Sequence, residues 1–185
     1  MPELSLMRWG LIPSWATDAS IGFKTINARS ETITTTASFS DPFRTQRCLI
    51  PADAFYEWKR DGKIKQPYAF EVGEGELFAF AGLWDRWIDP QGIHIESCTI
   101  ITTTRNSHLA DIHNRMPGIL LSGAYASWLN PAMRDPRVAT GWLVPYAGEM
   151  RRYPVSTRIN NVQNDDEDCA KTVMPDQLEQ GQLFT

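Results

Sequence analysis

Glu57 is the residue best suited by its neighbours to proton chemistry. It sits in Phe55-Tyr56-Glu57-Trp58, an acid flanked by three aromatic residues. A carboxyl among apolar groups resists ionisation, so its pKa is expected to move upward. Upward tuning lets a Glu give and take a proton near neutral pH. The same residues also fit plain strand alternation, with Glu57 on a solvent face beside Phe55. A second candidate is the polar run Asp111-Ile112-His113-Asn114-Arg115, just before Met116-Pro117. Pro117 imposes an extended backbone on Met116, and a loop holding His and Arg between apolar strands is a usual seat for function. A third is Asn27-Ala28-Arg29-Ser30-Glu31. On a strand, Asn27 and Arg29 point to one face. Structural roles compete at each position: Asn27 as a turn residue bonded to its own backbone, Arg29 in an ion pair with Glu31, His113 as a packed or surface imidazole.

The elements that must carry these residues are mostly strands. Residues 48–50 run through a Pro-Ala-Asp turn into the aromatic segment around Glu57. Asp61-Gly62 then marks a hairpin, with Lys59, Arg60, Lys63 and Lys65 clustered as a solvated tip. Further strands are expected at 68–72, 77–87, 93–104 and 118–121, and a last one starting at Tyr153; β-branched residues dominate the 93–104 segment. The apolar opening at 6–12 reads as a strand from the middle of a sheet. Short helices are expected near Phe39–Phe43, with Ser40 or Asp41 as cap and Pro42 in the first turn, and over 122–129 with Ser122 as cap. The tail after Lys171 is weakly specified. Eight or nine strands against two or three short helices define an α+β, β-rich fold with a single mixed or barrel-like sheet.

Composition narrows the function classes. A chain of 185 residues, 42% hydrophobic and 22% charged, suits one soluble domain spanning 1–185. Seven Trp is a high count, so most should be buried or should line a binding surface. The net charge of −4 argues against bulk DNA binding, but residues 1–65 hold nine Lys and Arg against seven Asp and Glu, which leaves room for a local basic surface. Cys48, Cys98 and Cys169 are far apart, with no CxxC pair; they form neither a disulfide framework nor a metal site. No cofactor motif is present. With no export signal and no apolar run long enough for a membrane span, a reducing, cytoplasmic setting is expected.

Five stretches occur in one order: WGLIPSW, NARSET, RCLIPADAFYEW, ITTT with IHNRMPGIL, and YPVSTRINN running into NVQND. Together they resemble the SOS-response-associated peptidase (SRAP) family over nearly the whole chain. The resemblance implies a sensor of abasic sites in single-stranded DNA that joins covalently to the aldehyde of the ring-opened deoxyribose. It implies Glu57 as the acid–base group that opens the closed sugar, His113 as its assistant near a phosphate, and Asn27 as the group orienting the reacting atoms. Arg29 and Arg115 would hold backbone phosphates, Trp15 would offer a stacking face, and Thr102 a further DNA contact. Glu57, His113 and Asn27 are then expected to meet around one pocket. The partner is single-stranded DNA containing abasic sites, the protein a monomer with no membrane role, nucleoid-associated when bound.

The family begins Met-Cys-Gly-Arg, and its N-terminal Cys forms a thiazolidine with the aldehyde. This sequence begins Met-Pro-Glu-Leu at a point matching the interior of the family's domain. An N-terminally truncated form without the crosslinking Cys is therefore expected; Pro2 would carry only a secondary amine. Two other readings stay open. One is a non-covalent single-stranded DNA module using Arg29, Arg115 and Trp15. The other is a small hydrolase with Glu57 and His113 as its acid–base pair, although no GxSxG or HExxH motif supports it.

Overall fold

The computed structural model describes residues 3–62 and 64–173. The expectations for Pro2, for Lys63 in the basic turn and for the tail beyond 173 lie outside them. In chain order the strands are β1 (Arg8–Trp9), β2 (Asn27–Arg29), β3 (Arg47–Ala52), β4 (Phe55–Asp61), β5 (Ile64–Val72), β6 (Phe78–Ile88), β7 (His94–Thr104), β8 (Arg115–Pro117), β9 (Ile119–Leu120) and β10 (Met150–Pro154). The α-helices are short: α1 (Ser40–Thr45), α2 (Tyr125–Leu129) and α3 (Pro136–Thr140). The fold is α+β and sheet-rich, as the strand count predicts.

The described residues fall into two units, one from 3–52, 78–104 and 115–146, the other from 53–77, 105–114 and 147–173. The first unit holds a mixed seven-stranded sheet with β1, β7, β6 and β3 in order. β1 and β2 pair with β7 in parallel, while β3 and β9 on β6, and β8 on β7, are antiparallel. Its core gathers Leu11, Ala28, Ile33, Phe43, Leu83, Ile101 and Trp128. The second unit holds a separate antiparallel sheet in the order β10-β5-β4. The expected single sheet is thus two: hydrophobic alternation marks a strand but does not name its neighbour.

Three local expectations are corrected. The opening strand is confined to Arg8–Trp9 and has one neighbour, β7. Gly10 ends it with φ +107°, where an added Cβ would meet the Gly22 carbonyl oxygen at 2.5 Å. Leu6 is therefore left exposed, while Leu11 and Ile12 turn into the core. Neither Ser40 nor Asp41 caps α1; Phe39 stands at the cap without a side-chain bond. Ser122 caps nothing either, because a 3-10 turn at Ser122–Ala124 precedes α2.

Candidate functional site

The Glu57 environment is built by the β4–β5 hairpin. Gly62 takes φ +56° in the turn, and the register sets Glu57 opposite Tyr68, Lys59 opposite Gln66 and Phe55 opposite Phe70. Register partners share a face, so Phe55, Glu57, Lys59, Tyr68 and Phe70 lie on one side. The Phe55 and Phe70 rings stack there with centroids 5.0 Å apart. Tyr56 and Trp58 point to the other side, where the Trp58 indole donates to Asn160 Oδ1 at 2.6 Å. Of the three aromatics beside Glu57 in sequence, only Phe55 shares its face.

The 105–114 loop supplies His113. The His113 and Ile112 amides both donate to the Leu109 carbonyl, at 3.1 and 3.0 Å, closing a tight turn. His113 Nδ1 stands 3.7 Å from Glu57 Oε1. That is ion-pair distance and too long for a direct hydrogen bond. Burial pushes the Glu57 carboxyl above its ordinary value; the charge on His113 and a hydrogen bond to the Trp58 backbone pull partly back. Its side chain keeps 22% exposure against 47% for His113, so the pair is reachable from solvent. A cavity of about 420 Å³ in this unit is lined by residues 73–74, His108 and 147–151, and by none of the predicted site residues.

The first unit carries the other predicted residues. Asn27 and Arg29 project from β2 and are exposed on either side of the buried Ala28. β2 pairs with β7 so that Arg29 stands opposite Thr102. The Arg115 fork makes four hydrogen bonds: two nitrogens bind the Glu31 carboxylate at 2.9 Å each, Nε donates to Thr102 Oγ1 at 3.0 Å, and Nη2 to the Thr102 carbonyl at 2.6 Å. Glu31 is therefore the partner of Arg115 rather than of Arg29. Arg115 holds its carboxyl below the ordinary value. Trp15 is 58% exposed. Glu57 and His113 are thus brought together in one unit, and Thr102 and Arg115 in the other, with Asn27 and Arg29 on the strand beside Thr102.

Two of the cysteines sit where burial disfavours a thiolate. Burial, with Cys98 nearby, pushes the Cys48 thiol up to about 12, so it stays protonated at neutral pH. Burial also raises Cys98. Among the described residues, no cluster of His, Cys, Asp or Glu could hold a metal ion, and no helix is long and apolar enough to cross a membrane.

Sequence reasoning missed Arg47 and Arg152. Arg47 is buried, and its five N–H groups reach the carbonyls of Phe43, Arg44, Trp128, Asn130 and Met133 at 2.7–2.8 Å. Arg152 binds Asp111 in the His113 loop. Both contacts bridge segments distant in the chain, and no local pattern announces them.

The chain thus carries a mixed sheet in one unit and, in the other, Glu57 on a hairpin facing His113 from a loop. Residues 1–162 match the family described as SOS response associated peptidase (SRAP), and the chain belongs to that family. It is 48% identical over 164 residues to "Abasic site processing protein YoqW" of Bacillus subtilis, covering 88% of this chain and 73% of that protein. It is 35% identical over 187 residues to "Abasic site processing protein HMCES" of Gallus gallus, covering 88% of this chain and 55% of that protein. A crystal structure of a Bacteroides thetaiotaomicron protein superposes with a TM-score of 0.84 at 32% identity, covering 91% of this chain and 76% of that one.

Proposed function

We propose that the chain processes abasic sites in single-stranded DNA, with Glu57 and His113 opening the closed sugar. The observation carrying this reading is the pair itself: a carboxyl raised by burial, 3.7 Å from an imidazole, on a face open to solvent. Ring opening takes a proton from the 1′-hydroxyl, returns one to the ring oxygen, breaks the bond between C1′ and that oxygen and leaves an aldehyde. A Glu with an elevated pKa is suited to moving that proton, and the neighbouring imidazole can exchange it. Separations in free enzymes commonly shorten when substrate binds.

Asn27 is proposed to hydrogen-bond the reacting sugar. Arg29, Arg115 and Thr102 are proposed to meet phosphate and sugar oxygens, and Trp15 to stack on a base. These roles rest on the family resemblance, as does the assignment of 1–185 to one SRAP domain acting as a cytoplasmic monomer. The family resemblance implies that an N-terminal Cys then closes a thiazolidine with the aldehyde.

The test separates opening from crosslinking. Single-stranded DNA with one abasic site is mixed with an aminooxy probe that captures only the aldehyde, with and without protein. The protein should speed capture, and Glu57→Gln should abolish the gain. Capture no faster than on free DNA contradicts the reading; binding without acceleration would leave a non-covalent single-stranded DNA module.

A further inference from the structure

Glu57 and His113 are each followed or preceded, two residues away, by a charged group that pairs across the same gap. Lys59 lies two residues beyond Glu57 on β4 and so on the same face. Asp111 lies two residues before His113 in the loop. Lys59 Nζ meets Asp111 Oδ2 at 3.0 Å, running alongside the Glu57–His113 pair. The other Asp111 oxygen accepts from Arg152 Nη1 at 2.6 Å. The same Arg152 nitrogen donates to the His108 carbonyl at 3.1 Å, and its guanidinium lies 5.2 Å from the centroid of the Tyr68 ring, whose residue stands opposite Glu57. One carboxylate thus ties the His113 loop to β4 and β10 together.

We propose that Asp111, clamped by Lys59 and Arg152, is a positioning residue that sets the distance between His113 and Glu57. The His113 side chain comes from a loop that is also anchored near its start, where Leu109 is buried and the Asn106 amide donates to Met150 Sδ at 3.2 Å. The Asp111 clamp adds a tie to β4 two residues from the imidazole. Each of these ion pairs is partly exposed. Exposed pairs add little to global stability, so the clamp acts on geometry and its variants fold. The inference rests on the proposed acid–base role of the pair, but its test does not require activity.

The test follows the Glu57 side-chain carboxyl carbon by NMR through a pH titration, in the wild-type chain, Asp111→Asn, His113→Gln and the double variant. The groups facing Glu57 in this unit are His113 and Asp111 from the loop, Lys59 on β4, Tyr68 on β5 and Arg152 on β10. Removing the Asp111 charge alone, and freeing Lys59 and Arg152, would make the surroundings more positive and lower the Glu57 midpoint. Losing His113 from its place raises it. The expected result is an upward shift in Asp111→Asn, in the direction of His113→Gln, with no further upward shift when both are changed. An unchanged or lowered midpoint, or the same upward increment in both backgrounds, overturns the proposal. Should the aminooxy capture show no acceleration, the proposed function falls, and this titration still decides whether Asp111 positions His113.

Discussion

Arg47 and Glu57 are both ionisable side chains drawn away from water, and their surroundings treat them in opposite ways. Around Arg47, five backbone carbonyls receive all five guanidinium N–H groups. Two belong to the end of α1 and the rest to α2 and the segment following it, so the arginine satisfies carbonyls that a helix leaves open at its C-terminus. The Trp128 ring, its centroid 5.7 Å away, packs against the guanidinium. Around Glu57, burial opposes the charge, and His113 Nδ1 stands 3.7 Å from the carboxylate. The first charge is spent holding elements together, while the second is disfavoured by its surroundings. Arg115 is intermediate in character: it binds Thr102 and Glu31, and Glu31 is still half exposed.

The widest separation between these environments should appear in activity. Glu57→Gln should lower the acceleration of aldehyde capture by about 10²–10⁴-fold, the usual loss of a general acid–base group, while far-ultraviolet circular dichroism stays unchanged. Arg47→Leu should do the reverse and act on stability. Leaving several buried carbonyls without donors should cost about 3 kcal/mol, read as a lower urea midpoint. Trp15→Ala, at an exposed position, should leave that midpoint alone and weaken single-stranded DNA binding by roughly 1–3 kcal/mol in a fluorescence titration. Arg29→Ala should reduce the slope of log affinity against log salt by about 0.7, the share of one phosphate contact on a single strand; an unchanged slope removes Arg29 from the DNA interface.

The smallest effect is the pH dependence of stability. The folded-state pKa of Glu57 lies above its unfolded value. The folded chain therefore binds the proton more tightly in the window between the two, and stability falls as pH rises through it. The protonated carboxyl's contribution is complete below the ordinary carboxylate range and gone above the raised value. Glu57→Gln should flatten that part of the profile in urea melts taken across acidic to neutral pH. A wild-type profile that rises with pH there, relative to Glu57→Gln, would contradict burial as the dominant influence on that carboxyl.

Much of this contrast was legible in the residues, through local rules. The spacing of Asn27 and Arg29 puts them on one face if their segment is a strand, and β2 is that strand, with Ala28 buried between them. Asp61-Gly62 marked the hairpin, and the upward direction at Glu57 followed from its apolar setting. The cause was only partly the expected one, since Tyr56 and Trp58 turn away and burial does the work. Apart from Glu57 with His113, which the family resemblance supplied, the long-range polar pairings stayed hidden. Glu31 meets Arg115 across 84 residues, Asp111 meets Arg152 across 41, and Arg47 meets carbonyls more than 80 residues ahead. Charge attraction leaves no periodic trace in a chain, and Lys59, read as a solvated tip, gave no sign of its partner. The division of strands into two sheets was hidden for the same reason: alternation fixes a face, and pairing is decided by contacts remote in sequence.

The most direct measurement of the central claim is a crystal structure of this chain with single-stranded DNA carrying a tetrahydrofuran abasic analogue, which cannot ring-open. The account predicts the baseless sugar within hydrogen-bond distance of both the Glu57 carboxyl and the His113 imidazole, with its ring oxygen turned toward the pair. A sugar bound elsewhere, with Glu57 and His113 facing only solvent or phosphate, would contradict it.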